Sequence, residues 1–282
     1  MHILTTQAQM QQAAHDLRRQ SRRIGFVPTM GNLHEGHLSL IRLARQHADT
    51  VIVSIFVNPT QFGPTEDYAA YPRTLDADLA ICRREGVHLI YHPPVTEIYP
   101  PDASVTLAET SLAQTLCGAA RPGHFNGVCT VVAILFNTIR PHLAVFGQKD
   151  AQQLRIIRRM VRDLAYPIQI LASPTIREPD GLALSSRNRH LTPPQRAQAT
   201  VLHRALTLAQ ANFAAGQRDP RQLENDMRQL IQQAPDARID YISIVDDQTL
   251  APLTAPITRP ALAALAVWIG QPRLIDNTTL TP

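Results

Sequence analysis

Cysteine is scarce in this sequence. Its 282 residues hold only Cys82, Cys117 and Cys129, an odd and widely spaced set that excludes a disulfide framework and a cysteine-ligated zinc centre. Long hydrophobic runs are missing as well. No stretch approaches the roughly 18 uninterrupted apolar residues that suggest a membrane span. Met1 to Gln7 show neither the charged region nor the apolar core of a signal peptide, so a cytoplasmic protein with no membrane partner is expected. Aromatic residues make up 5% of the chain, and the net charge is only +4 with a pI near 9.2. The basic residues are scattered apart from the pairs Arg18-Arg19, Arg22-Arg23, Arg83-Arg84 and Arg158-Arg159. Nucleic-acid binding asks for a concentrated basic face with stacking rings. Solvated helix faces explain these pairs more simply, and no nucleic-acid partner is expected.

What is present suits an ordinary globular protein: 44% apolar residues, with 12 Gly and 22 Pro to supply turns. The length allows one large domain or two of common size. The stretch that organises the chain is Val27-Pro28-Thr29-Met30-Gly31-Asn32-Leu33-His34-Glu35-Gly36-His37. The first twenty-odd residues are expected to form an amphipathic helix, and a short apolar run, Ile24 to Val27, then precedes the loop and reads as a strand. A helical pattern through Ile41, Ala44 and Ala48 follows. A glycine-containing turn between strand and helix offers backbone N–H groups and the positive end of the helix dipole to an anion. His34 and His37, three residues apart, can face the same anion. The loop is not a Walker A motif, because His37-Leu38 stands where Lys-Ser/Thr is required. Nor is it a two-histidine zinc motif, which needs a spacing of four. Taken alone, it fits a phosphate site and a helix start with two solvated histidines equally well.

Thr50 to Val57 is a continuous β-branched run, the mark of a strand buried on both faces of a parallel sheet. It ends in the polar turn Asn58-Pro59-Thr60-Gln61, at the carboxyl edge where open α/β sheets bind ligands. Gln61 there is either a substrate contact or an ordinary turn residue. A helix over Asp76 to Glu85, a strand over Val87 to Tyr91 and a Pro-rich loop from His92 to Pro101 follow. Val128 to Ile139 reads as a buried helix. The strand Leu143 to Phe146 then leads through Gly147-Gln148-Lys149-Asp150 into a helix with Leu154, Ile157 and Val161 on one face. Lys149 in that turn is a cation for phosphate oxygens or a solvated lysine. After the strand Ile168 to Leu171, Leu184-Ser185-Ser186-Arg187-Asn188 offers two hydroxyls and a guanidinium to an oxyanion.

The pattern changes near residue 175. Thr192-Pro193-Pro194 opens a helix with an apolar face from Leu202 to Phe213, and Asp219-Pro220 opens a second through Leu223, Met227 and Ile231. Ile239 to Val245, Leu262 to Ile269 and Arg273 to Ile275 read as strands. The expected fold class is α/β: a Rossmann-like, doubly wound parallel sheet over residues 1–174, with a smaller α+β domain over 175–282.

Seven segments carry a resemblance: Pro28 to His37, Phe56 to Phe62, Tyr71 to Thr74, Arg121 to Phe125, Phe146 to Asp150, Leu184 to Asn188 and Leu274 to Asn277. They stand in the order found in the pantothenate synthetase family, from about residue 24 to 277. The opening loop also resembles the His-x-Gly-His motif of the wider nucleotidyltransferase superfamily. The resemblance implies a ligase joining (R)-pantoate to β-alanine with ATP and Mg²⁺, through a pantoyl adenylate, and usually as a homodimer. It implies ATP contacts from Met30, Gly31, Asn32, Leu33, His34, Glu35, Gly36 and His37, with His37 as proton donor. Gly147, Gln148, Lys149 and Asp150 would also hold ATP, Lys149 toward the β/γ-phosphates and Asp150 toward ribose or metal. Ile176 would meet adenine through its backbone, and Leu184, Ser185, Ser186 and Arg187 would close over the triphosphate. Gln61 and Gln153 would hold pantoate, Gln61 also meeting β-alanine. His34 and Lys149 join His37 as the implied catalytic groups, and no protein metal ligand set is assigned.

Three positions depart from the family's usual pattern. Thr60 replaces a methionine, Gln148 a frequent glutamate and Ala151 a common aromatic. A nucleotidyltransferase that leaves its nucleotidyl group on the product would share the histidine loop but lack Gln61 and Gln153 in these settings. A nucleotide-sensing or RNA-binding module would need neither a second substrate pocket nor Lys149.

Overall fold

The computed structural model describes residues 1–64, 66 and 68–282. The chain divides into two units. One comprises Met1–Glu109, Arg121–Gln148 and Ile156–Pro174, and the other Thr110–Ala120, Lys149–Arg155 and Thr175–Pro282.

The first unit is built on six strands: β1 (His2–Leu4), β2 (Ile24–Thr29), β3 (Thr50–Ile55), β4 (Leu89–Tyr91), β5 (Leu143–Gly147) and β6 (Gln169–Ser173). They pair in the order β1-β4-β3-β2-β5-β6, every pairing parallel. Strand β3 shows why the β-branched run forms a central strand: all six of its residues are buried, and Val51, Ile52 and Val53 have no exposed surface. Each such apolar side chain contributes about 1.5–3 kcal/mol by leaving water. Helix Glu35–His47 covers the sheet with Leu38, Leu40, Ile41 and Ala44 buried. Helix His124–Ile139 is buried along most of its length.

The N-terminus differs from expectation. Instead of one helix through the first twenty-odd residues, β1 comes first and pairs with β4, His2 to Leu89. The helix is confined to Gln7–Arg19, because Thr6 and Gln9 cap each other at its start. Three strand residues are too few for an alternation to register.

The second unit carries the antiparallel sheet β7 (Ala237–Asp246), β8 (Ala261–Ile269) and β9 (Arg273–Leu280), in that order. The helices Val201–Ala214 and Pro220–Ile231 bury Leu202, Leu206, Phe213, Leu223, Met227 and Ile231 in a core shared with Ile244, Leu265 and Val267. The stretch opened by Thr192 is two helices, Pro193–Gln198 and Val201–Ala214. Strand β9 runs past Ile275 to Leu280, since its polar residues Asp276 to Thr279 still pair with β8. Among the described residues no helix is long and apolar enough to cross a membrane.

Candidate active site

Strand β2 is the switch point of the sheet. It pairs with β3 on one side and with β5 on the other, and the chain order reverses between them. Because the strands are parallel, the loops after β3, β2 and β5 leave the same edge of the sheet from neighbouring positions. Open α/β sheets bind ligands at that place. Those loops carry Gln61, then Met30 to His37, then Gly147 and Gln148. The structure therefore brings three of the predicted segments to one edge.

The Met30–His37 loop owes its shape to a residue far along the chain. Asp78, 1% exposed, accepts from the backbone N–H groups of Asn32 at 2.9 Å and Leu33 at 2.8 Å, and from the Thr74 hydroxyl at 3.2 Å. The turn needs left-handed backbone at Gly31, φ 78°, and at Asn32, φ 52°. A Cβ on Gly31 would sit 2.9 Å from the Asp78 carboxylate, so only glycine fits. Among the described residues the buried Nδ2 of Asn32 has no partner, which leaves a donor inside the loop.

The two histidines cap the helix that begins at Glu35. His34 Nδ1 accepts from the Gly36 N–H at 3.1 Å, and His37 Nδ1 accepts from the His34 N–H at 3.3 Å. A backbone N–H can only donate, so both Nδ1 atoms are acceptors and each neutral ring carries its proton on Nε2. The rings lie 4.2 Å apart between centroids. A Cβ on Gly36 would meet the His34 ring at 2.9 Å, which is why a glycine separates the pair. The loop thus presents two Nε2–H donors at the positive end of a 13-residue helix. Glu35 is engaged with Arg42, which also pairs with Glu85. Leu33 is buried with the core.

Gln61 is held at both ends. Its Oε1 accepts from Asn58 Nδ2 at 3.1 Å and its Nε2 points to Met30 Sδ at 3.3 Å. Asn58, 1% exposed, is the hub: it also donates to the Gly127 carbonyl, while its Oδ1 accepts from Tyr99 Oη at 2.8 Å and Thr60 Oγ1 at 3.0 Å. Thr60 Oγ1 and Tyr99 Oη are 3.0 Å apart, so the unusual threonine joins this polar network. Burial raises the Tyr99 phenol above its ordinary pKa, against the hydrogen bonds it shares with Thr60 and Asn58.

At the end of β5, Gln148 is exposed and its N–H donates to the Ser173 carbonyl at 2.8 Å. The remaining predicted residues belong to the second unit. Asp150 begins the next helix, its carbonyl accepting from Leu154 N–H. Gln152 and Gln153 divide their roles. Gln152 is buried, donating to the Leu112 and Thr115 carbonyls at 2.7 Å and accepting from Gly118 N–H. Gln153 is partly exposed.

Ile176 and Leu184 face each other in a short hairpin closed by Leu184 N–H to Ile176 C=O at 2.9 Å and the Arg177–Ala183 bridge. Ser185 caps the 3₁₀ turn Ser186–His190, its Oγ accepting from Arg187 N–H. Lys149, Ser185, Asn188 and Asp276 line one small cavity of about 10 Å³. Burial lowers the Lys149 pKa. Asp150 and Asp276 oppose the shift, while the charge of Arg187 adds to it. Lys149, Ser185 and the start of the Ser-Ser-Arg segment are therefore together within this unit.

Sequence reasoning misses Asp78, Asn58 and Tyr99. Thr74 and Asp78, four apart at the start of a helix, are a visible pair, but an acidic first turn is equally expected from the helix dipole alone. Among the described residues no group of three or more His, Cys, Asp or Glu could hold a metal ion. Mg²⁺ on nucleotide phosphates uses only one or two carboxylates and keeps its waters. Asp150, exposed beside Lys149, is a carboxylate of the right type.

The family model described as pantoate–β-alanine ligase matches residues 2–279. The pantothenate synthetase of Thermotoga neapolitana is 51% identical over 280 residues, covering 99% of this chain and all of the relative. That of Moorella thermoacetica is 52% identical over 280 residues, with 99% of each chain covered. A pantothenate synthetase crystal structure from Thermus thermophilus superposes with a TM-score of 0.94 at 42% identity over the whole of both chains. The pantoate–β-alanine ligase of Francisella tularensis, complexed with β,γ-ATP and β-alanine, gives a TM-score of 0.81 at 35% identity, covering 99% of this chain and 97% of its own.

Proposed function

The chain belongs to the pantoate–β-alanine ligase family and condenses pantoate with β-alanine to pantothenate using ATP, and we propose that it does so through a pantoyl adenylate held by the residues named above. A carboxylate is a poor acyl donor, so its oxygen first needs a good leaving group. One pantoate carboxylate oxygen attacks the α-phosphorus of ATP, and the bond to pyrophosphate breaks. The β-alanine amine then attacks the acyl carbon, and AMP leaves with the carboxylate oxygen. No enzyme nucleophile is used. Catalysis consists of positioning and of stabilising charge on phosphate oxygens.

The observation that supports this most is the histidine pair, fixed at Nδ1 by backbone donors and carrying Nε2–H at a helix start. In this reading His34 and His37 hydrogen-bond the phosphates, and His37 Nε2–H is the donor to charge developing in the transition state. Met30 to His37, Gly147 to Asp150, Ile176 and Leu184 to Arg187 bind ATP, with the Lys149 ammonium on the β/γ-phosphates. Gln61 and Gln153 bind pantoate, and Gln61 also meets β-alanine. Neutral amides suit a substrate with both hydroxyls and a carboxylate. Mg²⁺, when bound, neutralises phosphate oxygens, with Asp150 as the protein carboxylate nearest in chemistry. Residues 1–174 form the ATP- and pantoate-binding domain in this proposal, and residues 175–282 supply Ile176 and the Leu184–Arg187 segment. The working form is a homodimer in the cytoplasm.

Pyrophosphate exchange into ATP tests the adenylate. Exchange should require pantoate, and AMP should accumulate only once β-alanine is added. Exchange without pantoate would reject the proposed order of steps.

A further inference from the structure

Lys149 is the one lysine among the chain's 27 lysine and arginine residues. A sequence that uses arginine at every other basic position keeps an ammonium here. The two are not interchangeable: lysine is a compact point charge on a flexible stem, whereas arginine is a rigid planar fork. The small cavity against which Lys149 lies has room for about one water-sized group. A flexible side chain needs something to hold it in place, and three residues outside the predicted site connect to the Lys149 backbone or to its cavity.

Asn277 Nδ2 donates to the Lys149 carbonyl at 2.8 Å. The backbone N–H of Asn277 in turn donates to Asp276 Oδ1 at 2.8 Å. Asp276 is 3% exposed and held in a two-pronged ion pair, with Arg177 NH1 at 2.6 Å and NH2 at 2.9 Å from its two oxygens. Arg177 NH1 also donates to the Gly181 carbonyl at 3.0 Å, which ties the pair to the turn of the Ile176–Leu184 hairpin. Asp276 lines the Lys149 cavity, and its charge opposes the desolvation of the ammonium. The cavity has a second acceptor, since the buried Oδ1 of Asn188 has no partner among the described residues. Side chains and main chain thus form one connected path: Arg177 guanidinium, Asp276 carboxylate, Asn277 amide, Lys149 backbone.

We propose that Arg177, Asp276 and Asn277 are positioning residues for Lys149: Asn277 fixes its backbone, and Asp276, oriented by Arg177, sets where its ammonium rests. The functional weight of this network rests on the reading of Lys149 as a phosphate ligand. The two ideas can be tested apart, because Lys149 supplies the one ε-amine of this sequence, to be compared with an α-amine. Limited acetylation with acetic anhydride, read by mass spectrometry, gives the Lys149 rate with the α-amine as internal reference.

Asp276 is too buried for a clean test, since removing one member of a buried pair threatens folding. Asn277 is the better target. Asn277→Asp is isosteric but has no donor toward the Lys149 carbonyl. Asn277→His keeps a ring N–H donor one bond beyond Cγ. The expected result is a Lys149-to-α-amine rate ratio changed about five- to tenfold in Asn277→Asp, the effect of one lost hydrogen bond. kcat/KM for ATP should fall by a similar factor, KM for β-alanine should not move, and Asn277→His should regain part of the loss. An unchanged ratio in Asn277→Asp overturns the proposal. So does a uniform loss toward all substrates accompanied by a fall in Tm, the signature of a merely structural residue. Failure of ATP to protect Lys149 in the unaltered protein would instead reject Lys149 as a nucleotide ligand and leave the network standing.

Discussion

Asp78 reaches across 46 positions of chain to accept the backbone N–H of Asn32 at 2.9 Å. That contact, doubled at Leu33, turns a flexible glycine loop into a fixed cradle. Asp78→Ala would strand two buried N–H groups, each costing about 1–3 kcal/mol. A loss of roughly 2–6 kcal/mol in chemical denaturation is expected, with a larger fall in adenylate formation than in β-alanine affinity. Unchanged denaturation would show that the loop holds its own shape.

The two nitrogens of His37 do different jobs, and two amides separate them. Asn at position 37 places an oxygen where Nδ1 sits, keeping the cap but losing the outer donor. Gln places an N–H near the position of Nε2, keeping the donor but losing the cap. His37→Asn should fold with near-native Tm and lose adenylate formation by about 10²- to 10³-fold, the usual scale for one transition-state donor. His37→Gln should recover part of the rate at lower Tm. The reverse ranking would make the ring a structural cap only.

Adjacent glutamines give a paired control. Gln153→Ala should raise KM for pantoate and leave Tm within about 1 °C, since its partly exposed amide braces no buried backbone group among the described residues. Gln152→Ala should lower Tm, because three backbone groups, one buried and two partly buried, lose their partner. Equal effects on pantoate binding would remove the assignment of Gln153.

Lys149 also predicts a pH signature. Its folded pKa is lowered from 10.5, chiefly by burial. Between that lowered value and 10.5 the unfolded chain binds more protons, so stability rises with pH through this window. Below it, the charged lysine is a standing destabilisation. Lys149→Met should therefore be the more stable protein near neutrality, with its lead shrinking as pH climbs toward 10.5, while adenylate formation is lost. Parallel Tm curves for the two proteins would contradict the shift.

Much of this is legible from residue types. The β-branched run that begins at Thr50 reads directly as a strand buried on both faces, and Asp219-Pro220 reads as a helix start. The His34/His37 loop shows itself because strand, glycine turn and helix start are all local signals. What stays hidden is non-local. Asp78, Asn58 and Asp276 act on partners tens of residues away, and nothing in their immediate neighbours distinguishes a buried organiser from a surface carboxylate or amide. Strand β1 escapes for a different reason: among the described residues it pairs with β4 alone, and three residues carry no periodicity. The division of labour between Gln152 and Gln153 likewise depends on which side of one helix turn meets the 112–118 segment.

The locked imidazoles constrain the second half of the reaction. A ring whose inner nitrogen is permanently occupied by the main chain cannot swap tautomers without unwinding the first turn of its helix. His37 can therefore lend a hydrogen but has no spare lone pair with which to take one. The ammonium of the incoming amino acid must then shed its proton to a group other than His37, and the second half-reaction should show a pH dependence that the first does not.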